Sequence, residues 1–359
     1  MLKKIDFYII RKFLGAFFLS IALIIMIVII FDLSENIDDL IQSQAPLNEI
    51  IFDYYLNFIP YFANLFSPLF TFIAVIFFTS KMASYSEIVA ILSSGVSFNR
   101  MLRPYMFTAF LLTALSFYMA NFLIPSTNKG LLNFKNTYIK NKYRNNNRNM
   151  HMQISPGTFV YVESYDVDQN MGTLFTLESF KEGKMYYKLS AKNIIWDSTK
   201  MKWTINKYSI RLIDGMKEVI YNGEKKDTTI NLLPGDFYSK TDNLDIMNFT
   251  QLRKFIKEEK MKGAENIRFY EVEKHKRLAF PFSAFILTLI GVSVSSRKVR
   301  GGIGMHIAFG LALTFVYILF MRITETFATY GNLTPMIASW LPNVVFLGIA
   351  FYLLKKAPK

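Results

Sequence analysis

Six stretches of the chain carry no charge and are long enough to cross a bilayer: Phe13–Phe31, Tyr54–Ser80, Pro104–Ile124, Leu278–Ser296, Gly301–Met321 and Met336–Leu354. A spanning helix needs about 20 apolar residues, because the hydrocarbon core is about 30 Å thick and a helix rises about 1.5 Å per residue. Pro60 and Pro68 interrupt the second stretch, which predicts kinks or an irregular start there. Pro125 is expected to close the third, and Pro281 falls in the first turn of the fourth, where a missing N–H costs little. The first stretch has a basic start but runs on into Asp32-Leu33-Ser34-Glu35. That is no small-residue cleavage site, so we read it as a retained anchor.

Between the third and fourth stretches the pattern changes to short alternating runs rich in Val, Ile, Thr, Tyr and Phe. Thr158–Tyr165, Leu174–Phe180, Met185–Ala191, Asn193–Asp197, Lys202–Asn206, Tyr208–Ile213 and Glu218–Tyr221 read as strands, parted by turns such as Glu182-Gly183 and Asp214-Gly215. Asn141–Met150 reads as a polar loop. Many short, closely spaced strands predict an antiparallel sandwich or jelly roll. Thr250–Lys262 reads as a helix with Thr250 as N-cap and Gly263 as its stop; a second helix from about Glu265 runs into the fourth span. The predicted fold class is therefore an α-helical membrane protein with an inserted all-β domain. Spans 1–3 occupy residues 1–124, the jelly-roll-like domain 125–249, a helical connector 250–277, and spans 4–6 residues 278–359.

Composition agrees with this segregation. Hydrophobic residues make up 52% of the 359 and charged residues 19%, yet the net charge is +14. Basic residues cluster at the N-terminus (Lys3, Lys4, Arg11, Lys12), between spans two and three (Lys81, Arg100, Arg103), between four and five (Arg297, Lys298, Arg300) and at the C-terminus (Lys355, Lys356, Lys359). The loop expected after span one, Asp32–Asp53, has six acidic residues and no basic one. The positive-inside rule then puts both termini and the short basic loops in the cytoplasm and the β domain outside it. Residues 125–277 hold 27 Lys and Arg against 18 Asp and Glu. Such a surface is either simply solvated or drawn to an anionic partner; its place outside the cytoplasm argues against nucleic acid and for phosphorylated or anionic lipid.

Catalytic signals are missing. The chain has no Cys, no G-x-x-x-x-G-K-[ST] phosphate loop, no H-E-x-x-H and no G-x-S-x-G. No cofactor or metal is expected. His306 is the sole ionisable group inside a span and reads as structural. The informative stretch lies between spans two and three, where residues 84–94 read as a cytoplasmic helix. Ser86 is the expected N-cap, Glu87 complements the dipole, Ile88, Val89, Ile91 and Leu92 supply an apolar surface, and Gly95 ends the helix. Such a helix suits docking into a motor protein; the plainer alternative is an interfacial helix that caps the bundle.

The stretch Ser86–Ser97 followed by Arg103-Pro104 resembles the cytoplasmic segment of the lipopolysaccharide export permeases of the LptF/LptG (YjgP/YjgQ) family. Tyr270–Pro281, Ser295-Ser296-Arg297 with Gly301–Gly304, Pro335–Asn343 and Asp6–Phe13 are similar to further segments of that family, in the same order; the N-terminal run leans to the LptG-like side. The resemblance implies a non-enzymatic inner-membrane subunit of a Gram-negative bacterium, paired with a homologous permease and a cytoplasmic ATPase dimer. It implies that lipopolysaccharide enters a cavity lined by spans one, two and five and passes through the jelly roll to a periplasmic jelly-roll bridge protein. Glu87 and its helix would dock the ATPase. Some family members carry basic residues just outside span one, where this chain has Asp32, Glu35, Asp38 and Asp39. Head-group contacts are therefore expected elsewhere, with Lys274, Lys276, Arg277 and Arg322 as candidates by position. Arg322 also has a plain reading, snorkelling to the interface. Two other functions are compatible with the pattern: a mechanotransmitter that uses ATPase motion without moving lipid, and a membrane enzyme acting on glycolipid, which lacks a visible catalytic constellation.

Overall fold

The structure is a computed structural model and describes residues 3–139, 148–166, 169–237, 244–261, 264, 266–297 and 302–357. It divides into two compact units, residues 1–139 with 268–359 and residues 140–267. Six helices in the described residues are long and apolar enough to span a membrane. The expected loop at Asn141–Met150, the stop at Gly263 and the start at Glu265 lie largely or wholly outside the described residues.

Helix α1 runs Lys4–Gln42. At 1.5 Å per residue its 39 residues extend about 58 Å, nearly twice the hydrocarbon thickness. The acidic segment expected to be a loop is thus its last turns up to Gln42. No Pro or Gly interrupts it there, Asn36 Nδ2 bonds the Asp32 carbonyl (3.1 Å), and Leu40 is buried with Tyr54 and Phe134. Helix α2 covers Leu47–Ser84. Its irregular start is a π-helical segment, Ile50–Tyr55, just ahead of Pro60, which cannot donate to the carbonyl four residues back. Helix α3 is the short Glu87–Ser93.

Helix α4 covers Phe98–Tyr138. The sequence reading ended this helix at Pro125; instead the chain stays helical. A π turn at Met119–Leu123 absorbs the bond that Pro125 lacks, and Asn121 Nδ2 takes up the Phe117 carbonyl (2.9 Å). After the β domain, α5 is Phe249–Met261. Asn248 caps it, not Thr250: Asn248 Oδ1 accepts the Gln251 N–H (2.9 Å) and Gln251 Oε1 accepts the Asn248 N–H (3.0 Å). Helix α6 covers Ile267–Ser295 with a 3₁₀ turn around Pro281. Helices α7 (Gly302–Tyr330) and α8 (Pro335–Lys355) complete the bundle.

Packing in the membrane unit centres on α2 and α6, which share the core with α4, α7 and α8. Close approach needs small residues: a Cβ on Gly291 would sit 2.8 Å from Val75, and one on Gly310 2.4 Å from Ile76. By contrast α1 and α7, which both pack on α2, leave long apolar faces open, including Leu19, Met26 and Ile30 on α1 and Phe309, Phe315 and Phe327 on α7.

The β domain is antiparallel, and its six described strands pair in consecutive order. They are β1 (Arg148–Ser155), β2 (Thr158–Asp166), β3 (Met171–Lys181), β4 (Lys184–Asp197), β5 (Lys202–Asp214) and β6 (Lys217–Thr228). Each described strand is joined to the next as a hairpin, so the inserted domain is the all-β antiparallel unit expected from the sequence. The first strand was not foreseen, and the pairs of runs meeting at Lys192 and at Lys207 are single strands.

Those break points have a structural meaning. By register, Glu163, Leu174, Lys192, Lys207 and Glu224 occupy one row across five strands. At this row the inward-facing positions change parity: Val160 and Val162 give way to Tyr165, Leu189 and Ala191 to Ile194 and Trp196, Trp203 and Ile205 to Tyr208 and Ile210. Leu174 and Lys207 take left-handed φ (47° and 48°). A strand alternates faces with period two, so one irregular residue per strand keeps the apolar side on one face across a bend. Trp203, fully buried, is the largest core side chain and donates Nε1–H to the Leu232 carbonyl (2.7 Å).

Candidate functional site

The candidate coupling helix α3 leaves α2 through Ser86, whose φ of 63° is left-handed. Ser86 occupies the cap position, but its side chain makes no capping bond, contrary to expectation; the left-handed backbone turns its hydroxyl away from the first-turn amides. Gly95 (φ 82°) ends the helix by bonding its N–H to the Leu92 carbonyl (3.1 Å).

The six candidate residues divide by face. Ile88 is 1% exposed and joins Ile9, Phe13, Phe98 and Met101 in one apolar cluster, with Ile91 and Leu92 packed on its margin. Val89 is 61% exposed, and Ser86 is exposed beside it. Glu87 Oε2 accepts a hydrogen bond from Tyr8 Oη of α1 (3.1 Å). The apolar residues of α3 thus mostly anchor it to the bundle, while Ser86 and Val89 are exposed and Glu87 is half-buried.

An ion pair beside α3 was missed from sequence. Asp6, 3% exposed, receives both Nη1 and Nη2 of Arg100 at 2.7 and 2.6 Å. Asp6 also accepts the Lys3 N–H (2.8 Å), and the Arg100 N–H bonds Ser97 Oγ at the start of α4 (3.3 Å). The available signal was a lone acid among basic residues: a buried carboxylate there requires a cation.

At the opposite end of the bundle, the structure brings three of the four head-group candidates together. Arg277, 6% exposed, pairs with Glu273 (3.0 Å); Lys276 lies 3.5 Å from Glu273 and 4.0 Å from Glu325; Arg322, 58% exposed, lies 3.3 Å from Glu325. Lys274 is half-buried and stands apart from these pairs. Two carboxylates, Glu273 and Glu325, hold the cluster. Arg322 is the most exposed of the three cations.

A third polar group explains the Pro342-Asn343 sequence of the last span. The 3₁₀ turn at Pro281 interrupts the regular ladder of α6; Asn343 Nδ2 bonds the Ala279 carbonyl (2.8 Å), and Asn343 Oδ1 accepts from Tyr317 Oη (2.8 Å). All three groups are buried, so one side chain links α6, α7 and α8. In the β domain, an open groove of about 860 Å³ follows the bend, with hydroxyls of Thr176, Ser190 and Ser209 along it. Among the described residues no three His, Cys, Asp or Glu side chains converge as a metal site requires.

The sequence model of the family described as "Lipopolysaccharide export system permease LptF/LptG" matches residues 7–356. No curated protein matches the chain.

Proposed function

With that match running over nearly its whole length, the chain belongs to the LptF/LptG family of lipopolysaccharide export permeases, and from this premise we propose that it couples ATP hydrolysis by a separate cytoplasmic ATPase dimer to lipid extraction. As a multi-pass membrane subunit of lipopolysaccharide export it needs no catalytic centre of its own. In the proposed orientation both termini and α3 face the cytoplasm and the β domain faces the periplasm, as the distribution of basic residues favours. A homologous permease completes the cavity beside α1, α2 and α7. The periplasmic domain passes lipid to a jelly-roll bridge protein, for which an exposed sheet edge offers strand pairing.

The observation that carries the coupling is the division of α3 into two faces. Ile88 locks the helix into the bundle, Val89 is exposed, and Glu87 is half-buried at the boundary, where it accepts from Tyr8 Oη. Motion imposed on α3 therefore reaches the membrane core through packed side chains. The test is co-purification from native membranes in mild detergent, wild type beside Glu87→Ala. Wild type is expected to bring an ATPase and a homologous permease. Glu87→Ala is expected to lose most of the ATPase, a charged hydrogen-bonding contact being worth about 1.5–3 kcal/mol, or roughly ten- to a hundredfold in affinity. Recovery of the chain alone, or equal ATPase with both, contradicts the docking role.

A further inference from the structure

We infer that the Asp6–Arg100 ion pair is a mechanical tie that makes α1 follow the coupling helix; this rests on the docking role proposed for α3. Helix α1 is held unevenly along its length. Its middle presents Leu19, Leu23, Met26, Ile27, Ile30 and Phe31 away from the protein, and only its far end is held again, where Asp32 accepts from Tyr54 Oη (3.3 Å) and Leu40 packs with Tyr54 and Phe134. Its first turns, in contrast, are fastened three ways. Asp6 grips Arg100 through two short, parallel N–H···O bonds, Tyr8 Oη reaches Glu87, and Ile9 and Phe13 pack with Ile88, Phe98 and Met101.

These contacts are not equal. The Tyr8 bond is exposed, and the apolar contacts can slide by a rotamer. The bidentate pair is directional and charged on both sides, and the Asp6 carboxylate has almost no access to water. Separating it would strand a buried charge. A displacement of α3 and the start of α4 is therefore easier with α1 carried along than with α1 left behind. Asp6 also fixes the first turn of α1 through the Lys3 N–H, so the pull acts on a capped helix end. Since α1 and α7 both border α2, a shift of α1 carried through this tie changes the distance between the open middle of α1 and α7, the side a lipid would use. Asp6 is a positioning residue and touches no lipid in this scheme.

The chain has no Cys, so two introduced ones are its only thiols. Phe31→Cys on α1 and Phe327→Cys on α7, both exposed, carry spin labels in the full complex with its co-purified ATPase. The expected result is an ATP-dependent shift of the label distance in the otherwise wild-type chain, its loss in Asp6→Asn, and its return in Asp6→Glu. ATPase binding and hydrolysis persist in all three. Should Asp6→Asn fail to accumulate, Arg100→Lys, which keeps the charge and loses the second bond, is expected to reduce the shift. An undiminished shift in Asp6→Asn, or in Arg100→Lys where that variant stands in for it, overturns the tie, as does a wild-type distance that ignores ATP. Absence of the ATPase from the wild-type preparation instead overturns the docking role on which the tie depends.

Discussion

Trp203→Ala is expected to destabilise the β domain by about 3–5 kcal/mol, the range for removing a buried Trp from a core. Trp203 is fully buried, stacks edge-on against Trp196 and Phe237, and ties β5 to the Leu232 carbonyl. The substitution leaves a cavity at the centre of the domain and an unanswered carbonyl. In the detergent-solubilised full chain, thermal unfolding followed by protease cutting within residues 148–237 should begin roughly 10–20 °C lower, at a few degrees per kcal/mol. Met201→Ala, at an exposed position of the preceding turn, should leave the profile unchanged. Equal profiles for the two variants would mean that Trp203 does not organise this core.

Glu273→Ala is the second large effect. It removes the carboxylate 3.0 Å from the buried Arg277 and takes from Lys276 its nearer partner. Breaking a buried pair from one side costs about 3–5 kcal/mol; the partial exposure of Glu273 and the remaining Glu325 put this case near the lower end. Replacing both members of the pair, Glu273→Ala with Arg277→Met, should restore most of the thermal stability lost in detergent, because no stranded charge remains. A double variant as unstable as the single one would show that Arg277 matters for something other than this pair. The same reasoning reorders the head-group candidates. Lys276, Arg277 and Arg322 are all held by carboxylates of their own protein, and Arg322, 58% exposed, is the most accessible of the three.

The centres of the six helices could be read from sequence because hydrocarbon length and absence of charge are one-dimensional properties. Their ends could not. Asp32–Gln42 looks like a polar loop, but nothing in it breaks a helix and Leu40 has a tertiary partner, which a charge count does not register. Pro125 is a valid stop signal that a π turn overrode. In the β domain the alternation was read strand by strand, so each change of parity looked like a strand end. Leu174, Lys192 and Lys207 look like strand ends along the chain but form one row of a bend, recognisable only once the strands are laid side by side. In the candidate site, the type of segment at Ser86–Leu92 was legible, but the division between anchoring Ile88 and outward Val89 was not, since both are apolar. The Asp6–Arg100 pair joins residues 94 positions apart, beyond the reach of local pattern.

The central claim is that lipopolysaccharide occupies the opening beside α1, α2 and α7 and leaves it when ATP is hydrolysed. The most direct measurement places a photo-crosslinking residue at Met26 on α1 and at Phe315 on α7, with Ile290 in the buried core of α6 as control. The complex, in native membrane vesicles, is illuminated with and without ATP. The account predicts lipopolysaccharide adducts at Met26 and Phe315, none at Ile290, and a decline of both adducts on adding ATP when the periplasmic acceptor is present. Adducts to phospholipid alone, or lipopolysaccharide adducts that ATP does not change, would contradict it.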